Sequence, residues 1–196
     1  MGYSLLTMGC SWGGLQALNV ILDGLPNDLN IPIVIAQHRM AQSADGLTLA
    51  LQKRTSMPIR DANDKDPIEP GHIYFAPPDY HLLVEHGSFA LSTDDLVQFA
   101  RPSIDVLFES AADAYADKLI AVILTGANED GAAGLARVKS RGGLTIVQDP
   151  STAVRSEMPQ AAIQAARPHR VLPIDAIGPF LAEICPRRRS SSEVGR

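Results

Sequence analysis

Leu119-Ile120-Ala121-Val122-Ile123-Leu124 runs straight into Thr125-Gly126-Ala127-Asn128-Glu129-Asp130-Gly131. The first part is apolar without a break, so a strand built from it is buried on both faces, as at the centre of a parallel sheet. The second part is polar and glycine-rich, which suits the loop that leaves such a strand. Upstream, Ser103 is a fitting N-cap, and Ile104, Leu107, Phe108, Ala111 and Tyr115 repeat at the spacing of one helix face. Downstream, the pattern predicts a helix over Gly131 to Arg141, a strand over Leu144 to Val147 and helices over Glu157 to Ala166 and Asp175 to Ile184. Helix, strand and helix in alternation predict an α/β fold, doubly wound, with a mostly parallel sheet and helices on both faces.

The amino-terminal half repeats the theme. A strand from Tyr3 to Met8 leads through a glycine-rich turn into a helix with Leu15, Leu18, Leu22 and Leu25 on one side. A second strand, Ile33 to Ala36, precedes a helix over Asp45 to Arg54 with Leu47, Ala50 and Leu51 inward. Pro58 to Thr93 differs, being rich in Pro, Gly, Asp and His. Ile73 to Ala76 and Leu82 to Val84 are expected to pair around Pro77-Pro78-Asp79 as a small antiparallel hairpin added to the sheet.

Bulk properties narrow the function. The chain has 196 residues, 45% hydrophobic and 20% charged, with a net charge of -5. That describes one globular domain, expected over 1–186, with a disordered tail at 187–196. An acidic chain is a poor general nucleic-acid binder. No apolar run approaches the roughly 18 residues of a membrane span, so no membrane insertion is expected. The N-terminus lacks a basic n-region, and the two cysteines, Cys10 and Cys185, are far apart; a cytoplasmic protein with reduced, buried thiols is the expectation.

Ligands of open parallel sheets bind beyond the carboxyl ends of the strands. Three such ends carry distinctive residues. After the first strand stands Gly9-Cys10-Ser11-Trp12-Gly13-Gly14, which contains G-x-S-x-G between strand and helix, the context of a nucleophile elbow. After the second stands Gln37-His38-Arg39, and after the central strand comes the loop ending in Asp130. Ser11 as nucleophile, His38 as general base and Asp130 as orienting carboxylate form a candidate triad. The chain order Ser, His, Asp differs from that of α/β-hydrolases. Each residue also has a plainer role open to it: Ser11 as a cap of the next helix, His38 as a packed histidine, Asp130 as a turn residue. A nucleotide site fits poorly, since the dinucleotide pattern would need glycine at Ser11 and no phosphate-loop lysine is present. His72, His81, His86 and His169 read as solvated, and no histidine spacing points to a metal.

With these motifs in view, the sequence resembles the catalytic domain of chemotaxis protein-glutamate methylesterases. The likeness runs from about Leu5 to Ile184. It rests on the Ser11 motif, Gln37-His38, Gly71-His72-Ile73-Tyr74-Phe75-Ala76-Pro77, Arg101-Pro102-Ser103-Ile104-Asp105-Val106-Leu107-Phe108, and Leu124-Thr125-Gly126 through Asp130-Gly131-Ala132. The resemblance implies a Ser11–His38–Asp130 triad, no metal and no organic cofactor. It implies hydrolysis of glutamate methyl esters on the cytoplasmic helices of methyl-accepting chemotaxis receptors, with glutamine deamidation as a second activity. Backbone groups at Trp12 and Ala127 would form the oxyanion site, and Arg39 and Arg101 would dock acidic receptor stalks or else tether loops. Trp12, Ala127 and Asn128 depart from the family's usual residues and bear on substrate preference. The regulated family enzyme carries a receiver domain, for which this chain has no room; a stand-alone form with a separate regulator, or an excised piece, is then expected. An esterase or amidase on another substrate, and a non-catalytic binding module, are the other function classes left open.

Overall fold

The computed structural model describes residues 2–38 and 44–188. The chain runs β1 (Leu5–Cys10), α1 (Gly14–Asp23), β2 (Ile33–Gln37), α2 (Ala44–Gln52), β3 (Ile59–Asp61), β4 (Ile73–Phe75), β5 (His81–Val84), β6 (Phe89–Ser92), α3 (Ile104–Tyr115), β7 (Leu119–Ile123), α4 (Ala132–Ser140), β8 (Leu144–Gln148), α5 (Glu157–Ala166), β9 (Arg170–Leu172) and α6 (Ile174–Ile184). Seven strands form one sheet in the order β3-β4-β2-β1-β7-β8-β9. Every pairing within it is parallel.

The apolar run of β7 serves two cores at once. Leu119, Ala121 and Ile123 face a cluster built with α3, α4 and α5. Ile120, Val122 and Leu124 face one built with α1 and α6, which also takes in Leu51 of α2. Side chains on a strand alternate between faces, so a strand covered on both sides must be apolar at every position. β1 lies at the middle of the order, with its following helix on one face, whereas the helix after β7 lies on the other. β1 and β7 thus flank the point where the winding reverses, which is where open α/β sheets hold their ligands.

The hairpin expectation needs correction. Ile73, Tyr74 and Phe75 do not pair with Leu82 to Val84; β4 lies inside the main sheet between β2 and β3. Its residues are buried on both faces, which an edge hairpin could not achieve. The antiparallel pair is β5 with β6, a separate two-stranded sheet closed by Glu85 to Ser88 and packed on α3. In α2, Leu51 is buried, but Ala50 is exposed rather than inward, and the side chain of Leu47 lies outside the described residues. Arg187 bridges to Leu29, and the Arg188 N–H donates to the Asp28 carbonyl at 2.7 Å; residues 189–196 of the expected tail lie outside the described residues. Both cysteines are free and buried, and burial pushes each thiol up to about 12.

Candidate active site

Ser11 is the first residue past β1. Its N–H donates to the Thr125 carbonyl at 2.9 Å, and its own carbonyl accepts from Gly14 N at 2.9 Å. The turn is sharp because Gly13 takes φ +81, in the left-handed region that a side chain disfavours. A Cβ there would also lie 2.6 Å from Val154 Cβ. Gly13, without a side-chain cap, is the N-cap of α1, so Ser11 does not cap that helix.

His38 is the first residue past β2. Because Cys10 and Gln37 are register partners, Ser11 and His38 emerge side by side, and the His38 N–H donates to the Cys10 carbonyl at 3.1 Å. Adjacent strands are about 4.8 Å apart, so this register alone brings the two residues together. On the far side of the ring, His38 Nε2 meets Asp130 Oδ2 at 2.7 Å. Among the described residues, no hydrogen bond joins Ser11 Oγ to His38.

Asp130 is 0% exposed. Besides the histidine it accepts from Ser103 Oγ at 2.8 Å, Ile104 N at 2.7 Å and Asp105 N at 3.0 Å. The carboxylate therefore sits on the N-terminus of α3, where unpaired amides and the helix dipole favour negative charge. Burial by itself would raise its pKa. The hydrogen bonds from His38, Ile104 and Asp105 outweigh that and hold the carboxyl below its usual range. An ionised acceptor locked against Nε2 is suited to steadying an imidazolium.

Three residues beyond the sequence reading belong to this arrangement. Ser103 does cap α3, accepting from Val106 N at 3.4 Å, but its hydroxyl also donates to Asp130. Asp105, in the first turn of α3, accepts from Gly134 N of α4 at 2.6 Å. His81, read as solvated, is 1% exposed. The N-cap signal marked Ser103 in the sequence, but no local pattern joins it to an acid 27 positions away.

The remaining candidates separate. Trp12 is 65% exposed beside Ser11, and its carbonyl accepts from Thr125 Oγ1 at 2.9 Å. Among the described residues, the N–H groups of Trp12 and Ala127 have no acceptor, whereas Gly126 N donates to the Arg155 carbonyl. Arg101 is engaged by Asp79 Oδ1 at 2.7 Å and by the carbonyls of Thr93 and Asp94 at 2.8 and 2.9 Å. That guanidinium tethers a loop. Arg39 lies outside the described residues.

Residues 6–181 match the sequence model of the family described as CheB methylesterase. A Leptospira interrogans protein is 48% identical over 178 residues, covering 90% of this chain and 92% of that one. A Symbiobacterium thermophilum protein named protein-glutamate methylesterase/protein-glutamine glutaminase is 37% identical over 174 residues, covering 88% of this chain and 48% of its own length. The present chain thus spans about half of that longer relative. Among solved structures, the catalytic domain of Thermotoga maritima CheB methylesterase superposes with a TM-score of 0.88 at 34% identity, over 93% of this chain and 99% of that one.

Proposed function

This chain belongs to the CheB methylesterase family, and from that premise we propose that it hydrolyses methyl esters of protein glutamate side chains with Ser11, His38 and Asp130. The observation that carries the reading is the 2.7 Å contact of His38 Nε2 with a buried, ionised Asp130, with Ser11 at the adjoining strand end. With Nε2 engaged by the carboxylate, Nδ1 is the nitrogen that takes the Ser11 proton. Rotation of the Ser11 side chain toward Nδ1 accompanies ester binding, as catalytic hydrogen bonds commonly tighten in the substrate complex.

Ser11 Oγ attacks the ester carbonyl while His38 accepts its proton. The oxyanion lies against the N–H groups of Trp12 and Ala127, each contributing about 3 kcal/mol. The imidazolium returns the proton to methoxide, and methanol leaves an acyl-enzyme. Water, deprotonated by His38, then releases the glutamate carboxylate and Ser11. Glutamine follows the same course with ammonia as leaving group, in line with the double name of the relatives.

The substrate proposed is a methylated chemotaxis receptor, met in the cytoplasm, with any control by a regulator supplied on another polypeptide or segment. Among the described residues no helix is long and apolar enough to cross a membrane. Methanol release from a methylated receptor fragment tests the reading directly. Ser11→Ala is expected to fold and release none; methanol from that variant would remove Ser11 as nucleophile.

A further inference from the structure

His81 opens β5 with its imidazole under the turn that leads into α3, and it is buried. Nδ1 accepts the Ser103 N–H at 3.2 Å, and Nε2 faces the Asp95 carbonyl oxygen at 3.0 Å. An amide N–H only donates and a carbonyl only accepts, so Nδ1 is bare and Nε2 bears the proton. The ring is therefore neutral, and it joins the loop before α3 to Ser103. Ser103 and its two successors supply the hydroxyl and both amides that hold Asp130. His81 thus holds the backbone N–H of Ser103, the residue whose hydroxyl, with the two amides that follow it, donates to the carboxylate.

Resting on the hydrolase reading above, we infer that His81 is a positioning residue of the reaction: through Ser103 it fixes the carboxylate that orients His38. His81 does not reach the reacting atoms. Its loss should act on kcat and leave KM alone, because Asp130 governs the base rather than ester binding. A mere packing role makes a different demand, since any side chain of suitable bulk would then serve.

Asparagine and leucine have nearly the same shape, and only asparagine can place an acceptor near the Nδ1 position for the Ser103 N–H. The test compares wild type, His81→Leu, His81→Asn and Ser11→Ala by methanol release from a methylated receptor fragment, with circular dichroism to verify folding. His81→Leu should lose about 100-fold in kcat at unchanged KM, while His81→Asn stays within about fivefold of wild type. A folded His81→Leu with wild-type kcat, or His81→Asn as slow as His81→Leu, overturns the inference and leaves Ser11 in place. Nitrogen-15 shifts of the wild-type ring are independent of variant folding. They should report the Nε2–H tautomer at neutral pH, and a proton on Nδ1 overturns the inference. A wild type that releases no methanol and takes up no fluorophosphonate label ends the hydrolase reading, and this inference with it.

Discussion

At the residue scale, Asp130 is the best-supported side chain of the site. Its hydrogen bonds come from a histidine, a hydroxyl and two amides, all of them donors. An asparagine there must turn an NH2 group toward one of those donors. Asp130→Asn should therefore lower the melting temperature and cut kcat by about 10⁴-fold. Near-wild-type turnover would remove Asp130 from the proposed triad. Arg101 is spent on Asp79 and two carbonyls. Arg101→Ala should cost about 1–3 kcal/mol of stability by loss of charge-assisted bonds. Its denaturant midpoint would reveal this, and an unchanged midpoint with weakened receptor binding would restore the docking role. The serine and histidine stood out as candidates because each follows a strand directly, and the aspartate because it closes the glycine-rich loop between β7 and α4. Ser103 and His81 were not legible as site residues, because their partners lie far along the chain.

At the element scale, α3 and α4 exchange carboxylates across their N-termini. Asp130, just before α4, receives the first amides of α3, and Asp105, in the first turn of α3, receives Gly134 N of α4. The helices approach closely because position 134 has no side chain. A Cβ there would lie 2.8 Å from Phe108 Cβ and 3.0 Å from the backbone of Asp105. Gly134→Ala should cost about 1–3 kcal/mol by overpacking and displace the N-terminus that holds Asp130. Urea midpoints together with kcat would reveal both effects; loss of stability with no change in rate would mean that α3 does not transmit the strain. The helices at 104–115 and 157–166 fall where the apolar spacing placed them. The hairpin failed because β4 and β5 are both short and apolar, and such runs carry no mark of which strand they will join.

At the scale of the whole molecule, two buried carboxyls pull the pH dependence of stability in opposite directions. Asp130 sits below the ordinary carboxylate value of 3.8. Its contribution is complete above that value and is lost as pH falls through its lower folded value. Burial, reinforced by Asp130 and Glu109, raises Asp105 to about 6 from the ordinary 3.8, against the opposing pull of the Gly134 amide. Between those values the folded chain holds a proton that the unfolded chain has released, so this group makes stability rise as pH falls through about 6. Asp105→Asn should remove that rise, an effect on the order of 2 kcal/mol between neutral pH and pH near 4. Chemical denaturation at several pH values checks it, and identical slopes for variant and wild type would refute it. The sequence by itself determined the α/β winding and the two-faced burial of β7, and it singled out Ser11, His38 and Asp130 as candidates in the loops after β1, β2 and β7. Each is written in local periodicity or in a short motif at a strand end. Only the tertiary structure decided strand order, the partner of β5, the loop-tethering role of Arg101 and the network from His81 through Ser103 to Asp130. Hydrogen bonds between groups distant along the chain depend on how the elements pack, and no local pattern of residues encodes that packing.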